Sequence, residues 1–167
     1  MNRRARRHLF ATNRRRKVAP LLPTGHPVPG DRERLASLLL DAYRGSIDDD
    51  GETLADARAE VTGYFAGAAG EPHLEASFVA IDGADLVSAC LVSLDDGLPL
   101  IAYAFTAARW KGRGLGSALL QLSLNALAAS GHRHAHLWVT AGNVPAERIY
   151  ERFGFAEDQG PAAAQGS

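Results

Sequence analysis

Three glycines alternate at Gly112, Gly114 and Gly116, directly before an apolar stretch with helical spacing. Glycine permits backbone conformations that other residues avoid, and it lets a ligand approach the main chain closely. The first amides of a helix have no intrahelical acceptors and lie at the positive end of the helix dipole. The segment therefore predicts a turn that binds a phosphate or pyrophosphate, with Lys111 and Arg113 adding positive charge beside it.

This glycine-rich segment differs from the two common nucleotide-binding loops. A P-loop ends in Gly-Lys-Ser/Thr, which the sequence lacks here. In the dinucleotide-binding fold the glycines follow the first strand of a parallel unit, whereas here they follow the third of three successive predicted strands. Taken alone, the turn is also compatible with a tight strand-to-helix connection that binds nothing.

The last predicted helix places a tyrosine on its inner side. Asn143 has the position of an N-cap, and a helical stripe behind it consists of Ala146, Ile149, Tyr150 and Phe153. A buried tyrosine can be a core residue whose hydroxyl finds a convenient partner. A phenol that keeps its proton at neutral pH can also act as a general acid, and this is the interpretation we favour for Tyr150.

The elements that position these segments follow from hydrophobic periodicity and turn residues. Three successive strands with short turns indicate an antiparallel meander, and the strand-helix-strand unit after it should be a right-handed crossover with parallel strands. The prediction is an α/β fold on a mixed sheet. Its elements are an edge strand at 18–22, helices at 31–44 and 53–65, strands at 78–81, 86–94 and 98–106, a helix to 129, a strand at 135–140 and a helix from 143.

Both segments resemble motifs of the GCN5-related N-acetyltransferase (GNAT) family. Lys111-x-x-Gly114-x-Gly116 is similar to the family's pyrophosphate-binding motif. The register Arg109-x-x-Gly112-x-Gly114 also fits, but we prefer the first, because the apolar helix start of the family then falls on residues 115–120. Asn143-x-x-Ala146-x-x-x-Tyr150-x-x-x-Gly154-Phe155 is similar to the second coenzyme A-binding motif. The resemblance covers about residues 18–158 and predicts a GNAT-like acetyltransferase domain over this range.

The resemblance implies an enzyme that moves an acetyl group from acetyl-CoA to an amine by direct attack in a ternary complex. It implies that amides from Arg113 to Ala118 hold the pyrophosphate, that the backbone near Phe105 pairs with the pantetheine arm, and that Tyr150 protonates the leaving thiolate. The predicted donor-binding residues are Phe105, Thr106, Ala107, Lys111, Gly112, Arg113, Gly114, Leu115, Gly116, Ser117, Ala118, Asn143, Ala146 and Tyr150.

The acceptor side departs from the family pattern. Many members use a glutamate on the meander as base, but the strand 98–106 carries no carboxylate. The acids of the loop between the front helices are expected to favour a small cationic amine, although they can equally form a solvated face. A protein amine also stays possible, and no metal is expected. The predicted substrate-side residues are Asp48, Asp49, Glu52, Tyr103 and His136.

The chain ends shape the remaining expectations. The family usually adds two strands after Gly-Phe, so the C-terminal strand looks missing or short, with a disordered tail at 159–167. Either the sheet is truncated, or a partner's segment, as in a homodimer, completes it. Residues 1–17 hold eight of the 18 basic residues and no acid, which predicts a disordered arm. An alternative function follows: a non-catalytic acyl-CoA-sensing module whose arm binds nucleic acid or an acidic partner, although nucleic acid is not the expected partner.

Composition limits the class of protein. The 167 residues suit one domain, and no apolar run is long enough to cross a bilayer. Cys90 is the only cysteine, so no disulfide can form within the chain, and a reducing cytoplasmic setting is expected.

Overall fold

A mixed β-sheet with helices on both faces organises the computed structural model, which describes residues 4–157. Its strands and helices have the following bounds: β1 Arg6–Thr12, β2 Thr24–Gly25, β3 Glu71–Pro72, β4 Phe78–Asp82, β5 Asp85–Asp95, β6 Leu98–Thr106 and β7 His134–Thr140; α1 Arg32–Tyr43, α2 Leu54–Phe65, α3 Leu115–Ala129 and α4 Val144–Arg152.

The strand order is β1-β7-β6-β5-β4-β2, and β3 pairs with β5. Strands β4, β5 and β6 form the predicted antiparallel meander. Strand β7 returns through α3 and lies parallel to β6. The predicted α/β fold on a mixed sheet is confirmed.

The helix starts follow from capping residues. Thr53 accepts a hydrogen bond from the Asp56 amide at 3.2 Å, and the Asp56 carboxylate accepts one from the Thr53 amide at 2.8 Å, so α2 begins with a reciprocal capping box. At α4, the Asn143 side chain accepts a bond from the Ala146 amide. The predicted N-cap role of Asn143 is therefore confirmed.

The helices divide between the two faces of the sheet. Successive strand residues point to opposite faces, so Tyr103 and Thr106 of β6 lie on different sides. Tyr103 meets the ring of Tyr64 from α2, with centroids 6.3 Å apart. Thr106 Oγ1 would lie 3.2 Å from a Cβ on Gly116, at the start of α3. Helices α1 and α2 thus cover one face, and α3 packs on the other.

The basic N-terminal segment is a strand of the sheet, so the prediction of a disordered arm over residues 1–17 was wrong for Arg6–Thr12. This segment pairs antiparallel with β7, from Arg6 opposite Thr140 to Thr12 opposite His134. The physical reason is burial: Leu9 and Ala11 point to the same face of the strand and join the core at 3% and 0% exposure. The predicted domain boundary at residue 18 therefore falls too late.

Residues after β1 lie along α3 and are held by side-chain amides. The Asn13 side-chain amide donates to the His132 carbonyl at 3.0 Å, and its backbone amide donates to the Arg133 carbonyl at 2.7 Å. The Gln121 side chain donates to the Arg14 carbonyl at 2.9 Å. Asn125 both accepts from the Arg16 amide at 2.8 Å and donates to its carbonyl at 2.7 Å. These contacts fix a segment whose arginine side chains stay exposed.

Both edges of the sheet differ from prediction. Residues 18–22 form no strand, because Pro20 interrupts them; Thr24–Gly25 pairs with β4 instead. At the other edge, Phe10 and Ala156 exchange two backbone hydrogen bonds of 2.9 Å. The chain's own β1 thus covers β7, where a partner's strand was expected. The predicted tail at 159–167 lies outside the described residues, and within residues 4–157 no helix combines the length and apolarity needed to cross a membrane.

Truncating Leu9 tests whether β1 is part of the folded core. We expect Leu9→Ala to lower the free energy of unfolding by about 2–5 kcal/mol, because it leaves a cavity against Leu137. Leu21→Ala is the matched control, since Leu21 is 66% exposed, and we expect a change within about 0.5 kcal/mol. Urea unfolding followed by circular dichroism measures both; equal, small effects would show that β1 is not a core element.

Candidate active site

The glycine turn connects β6 to α3. A single 3-10 turn at Ala108–Trp110 comes first, and then Gly112 and Gly114 adopt φ angles of +76° and +80°. This left-handed region is costly for residues that carry a Cβ. No atom lies within 4 Å of the position a Cβ would take at either glycine. The turn is therefore open on its outer side.

Main-chain amides converge at the start of α3. Gly114 is the N-cap, so the amides of Gly114 to Ser117 have no acceptor within the helix. The Ala118 amide already donates to the Gly114 carbonyl at 3.0 Å. The expectation that Ala118 contributes an amide to the anion site was wrong for this reason. Four amides and the helix dipole remain to favour an anion.

Two side chains attach α1 to this turn. The Lys111 ammonium donates to the Ala42 carbonyl at 2.6 Å, and the Asp41 carboxylate accepts from the Ala108 amide at 2.8 Å. Lys111 thus places its charge at the C-terminal end of α1, where the helix dipole favours a cation, and not over the glycines. Arg113 supplies the positive charge beside the turn, with its guanidinium carbon 4.9 Å from the Trp110 ring centroid.

A gap opens between β6 and β7. The two strands pair only at Leu100 opposite His136 and at Ile101 opposite Leu137. Farther along β6, the Ala107 amide donates to the Val87 carbonyl at 2.8 Å. Because hydrogen-bonding direction alternates along an antiparallel strand, Phe105 and Ala107 bond to β5, whereas Ala104 and Thr106 turn their backbone groups to the gap.

Tyr150 projects from α4 among buried groups. Its ring meets Phe155 edge-on, with centroids 5.9 Å apart. Burial raises the pKa of Tyr150 above its ordinary value, and the nearby Cys90 thiol and Asp48 carboxylate add to the rise. The phenol is therefore protonated at neutral pH. Asn143 and Ala146, predicted beside it, form the capped first turn that positions α4.

The candidate acceptor side contains a glutamate and two tyrosines that come from three elements. Glu60 of α2 lies beside Tyr103 of β6 and is an exposed residue; partial burial of its carboxyl and then the charge of Glu52 raise the pKa of Glu60. Burial and the Glu60 charge raise the pKa of Tyr103 to about 12. Tyr43 is the last residue of α1. Burial raises the pKa of Tyr43, and the nearby ionisable groups add to the rise: Glu60, Tyr103, Asp48 and Tyr150. Sequence analysis identified Tyr103 but missed Glu60 and Tyr43.

The acids of the loop between α1 and α2 divide into two groups. Asp48 accepts a hydrogen bond from the Thr140 hydroxyl at 2.7 Å, which attaches the loop to the end of β7. Asp49 accepts from the Gly45 and Gly51 amides at 2.8 and 3.0 Å, and these bonds lower the pKa of Asp49. Glu52 accepts from the Asp50 amide at 3.1 Å. Asp49 and Glu52 thus brace the loop, and Asp48 links it to the site.

His136 does not lie in the predicted amine site. It is 3% exposed, and its Nδ1 lies 2.8 Å from His8 Nε2. Its Nε2 is 3.7 Å from the Asp95 carboxylate. His136 sits level with Leu100, where β6 and β7 are still paired, and not beside Tyr103. The reason for the error is β1, whose His8 covers this position.

Comparison with known proteins agrees with the geometry. The model of the acetyltransferase (GNAT) family matches residues 32–155, and the chain belongs to this family. A mycothiol acetyltransferase of Corynebacterium glutamicum is 48% identical over 46 residues, which are 28% of this chain and 16% of that protein. The match thus concerns a small part of that relative.

Solved structures share the fold. A GCN5-related N-acetyltransferase from Sphaerobacter thermophilus has a TM-score of 0.68 and 22% identity, over 90% of this chain and 47% of that one. A GNAT family acetyltransferase from Brucella melitensis, in complex with acetyl-CoA, has a TM-score of 0.59 and 20% identity, over 80% of this chain and 82% of that one. The chain spans about half the length of the first.

Proposed function

We propose that this chain is an acetyl-CoA-dependent N-acetyltransferase for small amines. One observation carries the proposal: beyond Ile101, β6 no longer pairs with β7, and the end of β6 lies against the start of α3 with its four free amides. As part of the proposal, Tyr150 faces the same gap. On the other side of the sheet, Glu60 and Tyr103 lie beside the same strand, β6. Family membership and the acetyl-CoA bound to the Brucella melitensis relative support this choice of donor.

The donor side is formed by main chain. The amides of Gly114 to Ser117 fit a pyrophosphate, because they are unpaired within the helix and lie in the open turn. Backbone groups of Ala104 and Thr106 face the gap, where an extended pantetheine arm fits as an added strand. Bound acetyl-CoA supplies an acetyl group activated as a thioester.

The proposed transfer is direct. The acceptor nitrogen forms an amide bond with the acyl carbon, the carbon–sulfur bond breaks, and Tyr150 gives its proton to the departing thiolate. Glu60 takes the proton that the amine loses. Cys90 is unsuited to hold the acyl group, because burial raises the pKa of its thiol to about 11 and the reactive form of cysteine is the thiolate.

Stabilisation by acetyl-CoA tests the donor. At about a hundred times its dissociation constant, acetyl-CoA should add roughly 2.7 kcal/mol to the free energy of unfolding. For a domain of this size we expect Tm to rise by about 5–10 °C. Differential scanning fluorimetry measures the shift, with free CoA as a positive control and ATP as a negative control. The absence of any shift at saturating acetyl-CoA would contradict the proposal.

Replacing Tyr150 tests the general acid. We expect Tyr150→Phe to lower kcat by about 10²–10⁴-fold, because the proton donor is lost, while the Tm shift with acetyl-CoA is retained. Thiol release with an excess of amines measures turnover. A sensing module would bind acetyl-CoA without releasing thiol in either protein.

Tyr64→Phe is the matched control for this variant. Tyr64 is a core tyrosine at 1% exposure, and its hydroxyl donates to the Val92 carbonyl at 2.6 Å, away from the gap. We expect this control to lose stability and to keep kcat. An unchanged kcat in Tyr150→Phe would remove the acid role.

The pH dependence tests Glu60. Because its pKa is raised above the ordinary value of 4.5, the carboxylate form predominates only at pH values above that raised pKa. We therefore expect kcat/KM to fall as pH decreases through this range. Glu60→Gln should lower kcat/KM at neutral pH by about 10²-fold or more and remove this limb of the profile.

Glu75→Gln is the control, since Glu75 is an exposed acid outside this cluster. The same acceptor is used throughout, so that titration of its amine contributes equally to every profile. A wild-type profile that persists in Glu60→Gln would contradict the base role.

A further inference from the structure

One part of the sheet face beside Tyr103 is left uncovered. Helix α1 packs over β5 and β6, and Tyr64 of α2 reaches the same two strands. The adjoining face of β7 and β1 carries alternate side chains that point to the same side. Trp138 is 45% exposed on this face. His8 stacks on its ring with centroids 3.9 Å apart. The uncovered face therefore presents a stacked pair of aromatic rings next to the proposed acceptor side.

Arg6 lies on this face with a free charge. It is opposite Thr140 in the register of β1 and β7, and its guanidinium carbon is 5.8 Å from the Trp138 ring centroid. Among residues 4–157 no carboxylate lies within ion-pair distance of Arg6. The neighbouring Arg7 points to the other face and pairs with Glu147 at 3.2 Å and Glu157 at 2.6 Å.

Charges of opposite sign flank the acceptor side. Glu60 lies on α2 and Arg6 on β1, and the Asp48 carboxylate is hydrogen-bonded to Thr140, the residue opposite Arg6. The Arg6 charge opposes the rise in the pKa of Tyr103, so the guanidinium is within electrostatic reach of the Tyr103 hydroxyl. An acceptor with positive charge alone would be repelled by Arg6. An acceptor that carries both charges complements the two sides.

We propose that the acceptor is zwitterionic, with a carboxylate beside its amine, and that Arg6 binds the carboxylate. The inference rests on the proposed function and names the substrate class of the same site. The planar guanidinium presents paired donors that match the two oxygens of a carboxylate. The acceptor amine then lies toward Glu60 and Tyr103, so that Arg6 determines specificity and orientation without taking part in proton transfer.

Free amino acids paired with their carboxamides test this inference, because each pair keeps the side chain and differs in the carboxylate charge. The carboxamide also lowers the pKa of the neighbouring amine, so both acceptors are compared at equal concentration of neutral amine. Thiol release from acetyl-CoA gives kcat and KM for each acceptor. We expect wild-type kcat/KM to be about 10–100-fold higher for the free acid of the preferred pair, the range of one hydrogen-bonded contact to a charged group. Arg6→Gln should remove this preference by raising KM for the free acid, with KM for the carboxamide unchanged.

Two further variants separate recognition from structure. Arg6→Lys keeps the charge but loses the paired donors, so part of the preference should return. Arg14→Gln removes an exposed arginine side chain, while the Arg14 backbone carbonyl that contacts α3 is kept. We expect this variant to keep the wild-type preference for the free acid. The Tm shift with acetyl-CoA should be equal in all four proteins.

The outcomes distinguish the two proposals. If free acids and carboxamides are acetylated equally well, the zwitterionic acceptor is excluded and the acetyltransferase proposal stands. The same holds if Arg6→Gln lowers kcat/KM by the same factor for both acceptors. If no amine gives thiol release although acetyl-CoA raises the Tm, both proposals are overturned.

Discussion

The partial pairing of β6 with β7 is the constraint on which the rest of the site depends. The two strands share two residue pairs, whereas β7 shares seven with β1. A strand that leaves one neighbour exposes amides and carbonyls, and such groups are costly when unpaired. Because β1 forms hydrogen bonds with β7 along the whole length of β7, β7 can diverge from β6 without losing its hydrogen bonds on both sides. The N-terminal strand β1 thus stabilises the divergence of β7 from β6 without contacting the gap itself.

Strand β6 contributes to the divergence from its other side. Its pairing with β5 shifts register between Leu91 and Val92, so Ala102 is an additional residue opposite this point. A bulge of this kind bends a strand and increases its local twist. The bulge follows the last pair with β7 at Ile101. Helix α1 then holds the end of β6 through Asp41 and Lys111, and its last residue, Tyr43, reaches the acceptor side. One helix therefore couples the two halves of the site.

The sequence predicted the elements whose signals are local. Periodicity and caps located the four helices, and Asp-Gly turns located the meander. Strand β1 was missed because Arg6 and Arg7 dominate the composition of a segment whose apolar alternation, Leu9 and Ala11, is short. Its partner is about 130 residues away, and pairing over that separation leaves no local pattern. The same long-range contact explains why His136 was placed in the wrong surroundings.

The two sides of the site differ in how visible they are in the sequence, and the difference has a physical cause. Main chain forms the proposed donor side, and main chain can adopt that geometry only where glycine stands, so Gly112 and Gly114 mark it. Side chains from separate elements form the acceptor side, and each of them looks like an ordinary surface residue. Glu60 follows Ala57 by three residues, so it borders the buried stripe of α2; this was the one available signal. Arg6 and Glu60 contribute little to the core, so the acceptor charges can change without altering the fold that holds the donor.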